Sequence, residues 1–149
     1  MDRPLPSYTL ETSLAEAEST FLTDQLIAYN CSYGPARQLR PEEPRPVQVA
    51  LRTPDGRLIG GLIGRTHTLA FWLEISVLWV DAAHRQCGLG RRLMEAAEQE
   101  ARQRGCRFAR TATSDFQAPG FYAKLGYVQY GLLEDCPPGE TVYYYRKVL

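Results

Sequence analysis

The residues whose types and spacing could do chemistry crowd into one turn, Arg85-Gln86-Cys87-Gly88-Leu89-Gly90-Arg91-Arg92. Two glycines open what reads as a helix, and three arginines surround them. A helix N-terminus carries backbone N–H groups without intrahelical acceptors, and the aligned peptide dipoles add partial positive charge there. Glycine lets the main chain approach a ligand closely or take positive φ. Such a turn can hold an anion, and a phosphate or pyrophosphate suits it best. It serves equally well as a plain structural turn. Spacing excludes two nucleotide-binding patterns, because no third glycine completes G-x-G-x-x-G and G-x-x-x-x-G-K-[ST] is absent.

Other candidates are scattered. Glu74 interrupts the apolar run Leu69–Val80 (LAFWLEISVLWV). A lone carboxylate in a buried strand is costly unless it serves a purpose or points outward. His84, just before the glycines, reads as a solvent-facing turn residue rather than a base. Cys31, Cys87, Cys106 and Cys136 form no C-x-x-C pair, and only His67 and His84 accompany them. That spacing makes no zinc site, so no metal is expected and the thiols should stay reduced.

Charge is uneven along the chain. The 149 residues hold 17 Lys+Arg and 17 Asp+Glu, for a formal net charge of zero. Residues 85–110 contain seven arginines against Glu95, Glu98 and Glu100, a net of +4 around the glycine turn. Overall neutrality argues against a nucleic-acid partner but not against an anionic cofactor. No apolar run approaches the roughly 20 residues of a membrane span, and the first ten residues lack a signal-peptide core. A soluble cytoplasmic protein that engages no membrane is the expectation.

The elements that must position these residues follow from periodicity. The length fits one domain, 1–149. Tyr8–Glu11 reads as a short strand, and Ser13 with Glu16 resembles a capping box opening a helix with Leu14, Ala17, Phe21, Leu22 and Leu26 at helical spacing. Tyr33–Pro46, rich in proline, reads as a surface loop. Val47–Leu51 and Leu58–Ile63 flank the turn Thr53-Pro54-Asp55-Gly56, which predicts a hairpin. Leu69–Val80 predicts a central strand buried on both faces. From Gly88, a stripe of Leu89, Leu93, Ala96, Ala97 and Ala101 predicts an amphipathic helix, with Glu and Arg on its other face and Gly105 at its C-terminal cap. Phe108–Thr113 predicts a strand, Pro119–Lys124 a short helix, and Tyr127–Leu132 and Val142–Val148 the closing strands. This α/β order, with one helical crossover, implies a parallel pair inside a mixed sheet.

Two motifs carry a family resemblance. Arg85-x-x-Gly88-x-Gly90, after a strand ending Leu78-Trp79-Val80, resembles the acyl-CoA signature of the GNAT (GCN5-related) N-acetyltransferases. Phe116-Gln117-Ala118-Pro119-Gly120-Phe121-Tyr122-Ala123-Lys124-Leu125-Gly126-Tyr127 resembles that family's later segment, and Glu134-Asp135-Cys136-Pro137-Pro138-Gly139 resembles a turn of its small bacterial members. The likeness covers about residues 47–149. It implies a mostly antiparallel mixed sheet flanked by helices, with a splayed parallel strand pair. It also implies acetyl-CoA as co-substrate, with pyrophosphate held by the backbone of Gln86, Cys87, Gly88, Leu89, Gly90 and Arg91 beside Arg85. The pantetheine arm would lie along Leu78 and Val80. A small-molecule or peptide amine would be the acceptor, and a homodimer through the sheet edges is common in such folds.

The chemistry this implies has two demands. An amine with pKa about 10.4 is mostly protonated at pH 7, so about three pKa units, roughly 4 kcal/mol, must be offset by a base or a desolvated site. A departing thiolate needs a proton, and an oxyanion needs an N–H donor. By resemblance Tyr122 is the acid, although it can equally serve to pack the short helix. Glu74, eleven residues before Arg85, is the matching candidate base, unless it simply faces solvent. Asp115 stands where relatives carry Asn or a small hydroxyl residue, and it suits a cationic amine better than a phosphate. A non-catalytic acyl-CoA-binding or partner-binding module on the same fold is the alternative.

Overall fold

The computed structural model describes residues 9–33, 43–67, 70–115 and 117–149, with the side chain of Pro119 excepted. Tyr8, most of the proline-rich loop, Leu69 and Phe116 therefore lie outside the described residues. The chain divides into two compact units, Met1–Pro41 and Glu42–Leu149.

The first unit contributes one helix, α1 (Glu16–Cys31). It starts two residues later than a Ser13 cap would require. Glu18 explains the shift, because its carboxylate reaches back to accept from the Ala15 N–H at 2.7 Å. Residues 9–11, expected to belong to a strand, take no regular structure.

The second unit holds β1 (Arg45–Arg52), β2 (Leu58–His67), β3 (Trp72–Val80), α2 (Leu89–Gln103), β4 (Phe108–Ser114), α3 (Pro119–Lys124), β5 (Val128–Glu134) and β6 (Thr141–Val148). The six strands form one sheet in the order β1-β2-β3-β4-β6-β5. Every neighbouring pair is antiparallel except β3 with β4, which α2 connects. That is the mixed sheet expected from the alternation of apolar runs and the one amphipathic crossover.

Alternation along β3 decides what faces what. Leu73 and Ile75 are buried against Leu93, Met94, Ala97 and Ala101 of α2. Glu74 therefore points to the opposite face. Between Ile75 and Val77 the register with β2 slips, so Ser76 has no partner there. The close approach at this bulge requires Gly64, since a Cβ there would lie 2.5 Å from the Glu74 carbonyl. Past the extra residue the parity reverses. Leu78 and Val80 now pack on the core, while Val77 and Trp79 are exposed on the other face. The strand is thus buried on both faces for only part of its length.

The buried stripe of α2 is rotated from the predicted one. Ala96 is exposed, and Met94 and Glu98 are buried in its place. Its C-terminus closes as predicted. Gly105 has φ +86°, and the Cys106 N–H bonds the Ala101 carbonyl at 2.9 Å.

Candidate functional site

The parallel pair is joined only over Trp72–Ile75 and Phe108–Thr111. Beyond Ile75, β3 stays with β2 while β4 stays with β6, so the two strands part. At the crotch the Thr111 hydroxyl donates to the Ile75 carbonyl at 3.2 Å, taking the place of a further ladder bond. The parting opens a cleft of about 1020 Å³ between the exposed edge of β3, the first turn of α2 and the helix α3. A volume at the upper end of ordinary ligand clefts suits a long, flexible ligand.

Most of the residues singled out from sequence meet in this cleft. Leu78, Val80, Arg85, Gln86, Gly88, Leu89, Gly90, Arg91 and Tyr122 all line it. Three are not part of its wall. Cys87 is exposed and donates its thiol hydrogen to the His84 carbonyl at 2.7 Å. Asp115 sits in the turn after β4, where its carboxylate accepts from the Thr141 N–H at 3.1 Å. Its hydrogen bond with Glu140 raises that neighbour's carboxyl. Glu74 lies on the far face of the sheet.

The glycine turn forms a cradle of backbone amides at the start of α2. Gly88 is the N-cap of α2 with φ +82°, and a Cβ placed there would meet no heavy atom within 4 Å. The first helical bond runs from the Arg92 N–H to the Gly88 carbonyl at 3.2 Å, so the amides of Leu89, Gly90 and Arg91 precede the helical ladder. Gly90 has a different reason to be glycine. A Cβ there would come within 3.2 Å of the Phe121 ring, so the missing side chain lets α3 close on α2. The charged residues lining the cleft are Arg85, Arg91 and Lys124, and among the described residues no carboxylate joins them. Arg85 is steered by its Nε–H, which donates to the Val80 carbonyl at 2.9 Å.

Between strand and cradle, one 3₁₀ turn (Ala82–His84) is capped by Asp81. The Asp81 carboxylate accepts from the Ala83 N–H and from His84 Nδ1, each at 3.0 Å. The bond from His84 is the main reason the Asp81 carboxyl is lowered. His84 is half-buried and lines the cleft, so it is less exposed than its sequence context implied.

Tyr122 is the cleft's most enclosed polar side chain that could move a proton, at 7% exposure. Burial raises its phenol, and a hydrogen bond with Thr111 offsets part of that rise. The ring rests edge-on against Phe121 and Tyr127 and tilted against Tyr145, with centroid distances of 5.2, 5.9 and 5.7 Å. A phenol so placed stays protonated at neutral pH and can donate a proton.

Glu74 has a different character. Its direct neighbours across the sheet are Arg65 on β2 and Arg110 on β4. Its carboxylate accepts from Arg65 Nε at 3.3 Å, His67 Nε2 at 3.1 Å and Arg110 Nη2 at 3.2 Å. The Arg110 guanidinium also lies 3.7 Å from the centre of the Trp72 ring. Burial alone would raise this carboxyl, but the hydrogen bonds from Arg65, Arg110 and His67 and the charge of Arg110 outweigh it and hold the group at about 2. Such a carboxylate is a weak base.

Residues that sequence reasoning passed over complete the wall. Gln117 lines the cleft, and its Oε1 accepts from Thr113 Oγ1 at 3.0 Å and from the Ser114 N–H at 3.1 Å. Thr111 marks the crotch, and Lys124 adds a cation from α3. Gln117 and Lys124 stand inside the Phe116–Tyr127 motif without being singled out there, and Thr111 lies outside both motifs. Glu98, in contrast, stood at a position in step with Leu93, Met94 and Ala101, and that signal could have been read.

Comparison with known proteins bears on this site. The Acetyltransferase (GNAT) family matches residues 10–127. A blasticidin-S acetyltransferase from Streptomyces morookaense is 48% identical over 87 residues, which is 58% of this chain and 62% of that protein. The match thus spans less than two thirds of that relative. Acetyltransferase Atu2258 from Agrobacterium fabrum is 32% identical over 133 residues, 89% of this chain and 91% of that protein. Among solved structures, an acetyltransferase from Bacillus cereus superposes with a TM-score of 0.75 at 30% identity, covering 95% of this chain and 98% of that one.

Proposed function

The chain belongs to the GNAT acetyltransferase family, and from that membership we propose that it moves the acetyl group of acetyl-CoA onto a primary amine of a small molecule. The observation that carries this reading is the wedge between β3 and β4, which has an anion cradle and three cations along its wall and a buried phenol within it. We assign residues 1–149 to one such domain, since the family match begins at residue 10, inside the first compact unit. We place the protein in a reducing, cytoplasmic setting, where thiols such as Cys87, Cys106 and Cys136 stay reduced.

The residues present fit acetyl-CoA. The amides of Gln86 to Arg91, with Arg85 beside them, would hold the pyrophosphate at the positive end of α2. The open edge of β3 at Leu78 and Val80 would hold the pantetheine arm by backbone hydrogen bonds. Acetyl-CoA supplies an acyl carbon on a thioester, so the new C–N bond forms as the C–S bond breaks. Tyr122 gives its Oη proton to the departing sulfur and regains one from water, while the amine's surplus proton also leaves to water. Glu74 serves as a clip between β2, β3 and β4, because it stands on the far face with three donors on its carboxylate. Asp115 is left as a surface residue near the end of β4 that a cationic acceptor can meet.

Blasticidin S is the first acceptor to test, followed by a panel of alkyl amines, polyamines and aminoglycosides. CoA thiol release, with mass spectrometry of the acetylated product, is the measurement. Turnover on at least one amine is expected. If acetyl-CoA raises the melting temperature but no amine is acetylated, the chain is a binding module instead. Tyr122→Phe should lower kcat about 100-fold with the KM for acetyl-CoA within threefold, at the lower end of the range expected for loss of a general acid. Because burial raises the phenol, kcat should climb with pH as the amine deprotonates and show no loss of the acid below about pH 10. A kcat that falls between pH 7 and 9 would remove Tyr122 from that role.

A further inference from the structure

Tyr122 stands on a six-residue helix, too short to fix a side chain by itself. What fixes it lies behind the cleft. The turn after α3 brings the Tyr127 N–H back to the Tyr122 carbonyl at 3.1 Å and the Gly126 N–H to the Ala123 carbonyl at 3.1 Å, with Gly126 at φ +83°. Tyr127 then lays its ring edge-on against Tyr122. Its hydroxyl donates to Glu98 Oε1 at 3.0 Å. Glu98 is 2% exposed, the one carboxylate buried in the core among the described residues. Its oxygens also accept from Lys147 Nζ on β6 at 3.0 and 2.7 Å and from Arg102 on its own helix at 3.5 Å. The Lys147 ammonium lies 5.5 Å from the Tyr127 ring centre. Three elements therefore converge on one carboxylate, and a single residue links that carboxylate to the acid.

We propose that Glu98 and Tyr127 are positioning residues for the reaction, holding Tyr122 at the orientation from which it gives up its proton. The proposal rests on the reading of Tyr122 as the acid. A buried charge this expensive would be replaceable by an apolar side chain if only packing were needed. Tyr127 could equally be a phenylalanine for the ring contact alone, and its hydroxyl adds only the link to Glu98. Glu98 never touches a substrate, so its influence must pass through Tyr127. Burial, together with the neighbouring Glu98 carboxylate, pushes the Tyr127 phenol far above its ordinary value, so this link stays intact across the working pH range.

The test is a double-mutant cycle read on kcat, with acetyl-CoA and blasticidin S, and in parallel on the acceptor-free release of CoA thiol from acetyl-CoA. Tyr127→Phe keeps the ring and deletes only the hydroxyl. We expect kcat about tenfold lower with the KM for acetyl-CoA within twofold, and no further loss when Tyr127→Phe is added to Tyr122→Phe. Glu98→Gln, whose amide oxygen still accepts from Tyr127, should keep at least a third of wild-type kcat. A merely structural role would lower the wild type and the Tyr122→Phe enzyme by the same factor. Equal factors in the two backgrounds, or a Tyr127→Phe enzyme within twofold of wild-type kcat, would overturn the positioning role alone. A Tyr122→Phe enzyme with undiminished kcat would overturn the acid assignment and the positioning with it.

Discussion

Glu74 and Glu98 are both carboxylates held by two cations each, yet they lie on opposite faces of one sheet and work toward different ends. Glu74 takes its partners from the strands on either side, Arg65 and His67 from β2 and Arg110 from β4. Its ties run within the sheet, one residue before the parallel pair parts after Ile75. Glu98 takes its partners from other layers, Lys147 from β6 and Tyr127 from the turn after α3. Its ties run between helix and sheet, next to the aromatic ring that enters the cleft. The number of cations therefore says little about the role of a buried acid. The elements that supply its partners say more, because they decide which degree of freedom the charge removes.

The largest effect that would break this comparison is a loss at Glu98. Glu98→Ala strands the Lys147 ammonium and the Tyr127 hydroxyl, and removing one partner from a buried ion pair costs about 3–5 kcal/mol. Urea denaturation at pH 7 should show that loss with an unchanged slope. A cost below about 1 kcal/mol would mean that water reaches the cluster and that it orders nothing.

Glu74→Gln is expected to cost less, about 2 kcal/mol at pH 7, the scale of a hydrogen-bonded charge. Gln still accepts from one guanidinium, but Arg65 and Arg110 lose the charge that lay between them. The pH dependence separates this from a packing defect. Glu74 sits at about 2 in the folded chain and near 4.3 when unfolded, so its stabilisation is complete above about pH 4.3 and is lost as pH falls toward 2. The gap between wild type and Glu74→Gln should close across that interval. With CoA thiol release as the assay, kcat should remain within threefold of wild type at pH 8. A hundredfold fall in kcat with unchanged stability would restore Glu74 as the base.

The two carboxylates also mark how far the sequence can be read. The order of elements along the chain and the parallel pair followed from local patterns, since the hairpin turn, the apolar runs and the Gly105 cap each act over a few residues, whereas the place of β6 between β4 and β5 did not. The place of the glycine turn at the start of α2 followed from its two glycines. The face of Glu74 was not legible, because the Ser76 bulge reverses the alternation partway along β3 and is set by pairing with β2. The three residues whose bonds make Glu74 a weak base lie seven, nine and 36 residues away in sequence. Glu98 was misread for a smaller reason. Choosing Ala96 over Met94 turned the apolar stripe, and the charge then fell on the wrong side of the helix. Its partner Lys147 lies 49 residues on, beyond the reach of any periodicity.

The smallest effect is the sharpest test of the distinction itself. If Glu74 acts within the sheet and Glu98 between layers, the two share no partner and lie on opposite faces, so their losses should add. The Glu74→Gln, Glu98→Gln double variant should then equal the sum of the single changes to within about 0.5 kcal/mol in urea at pH 7. A coupling above about 1 kcal/mol would mean that the parting of β3 from β4 and the seating of Tyr122 are one mechanical unit. The clip on the far face would then belong to the catalytic apparatus after all, acting through the angle at which the cleft opens.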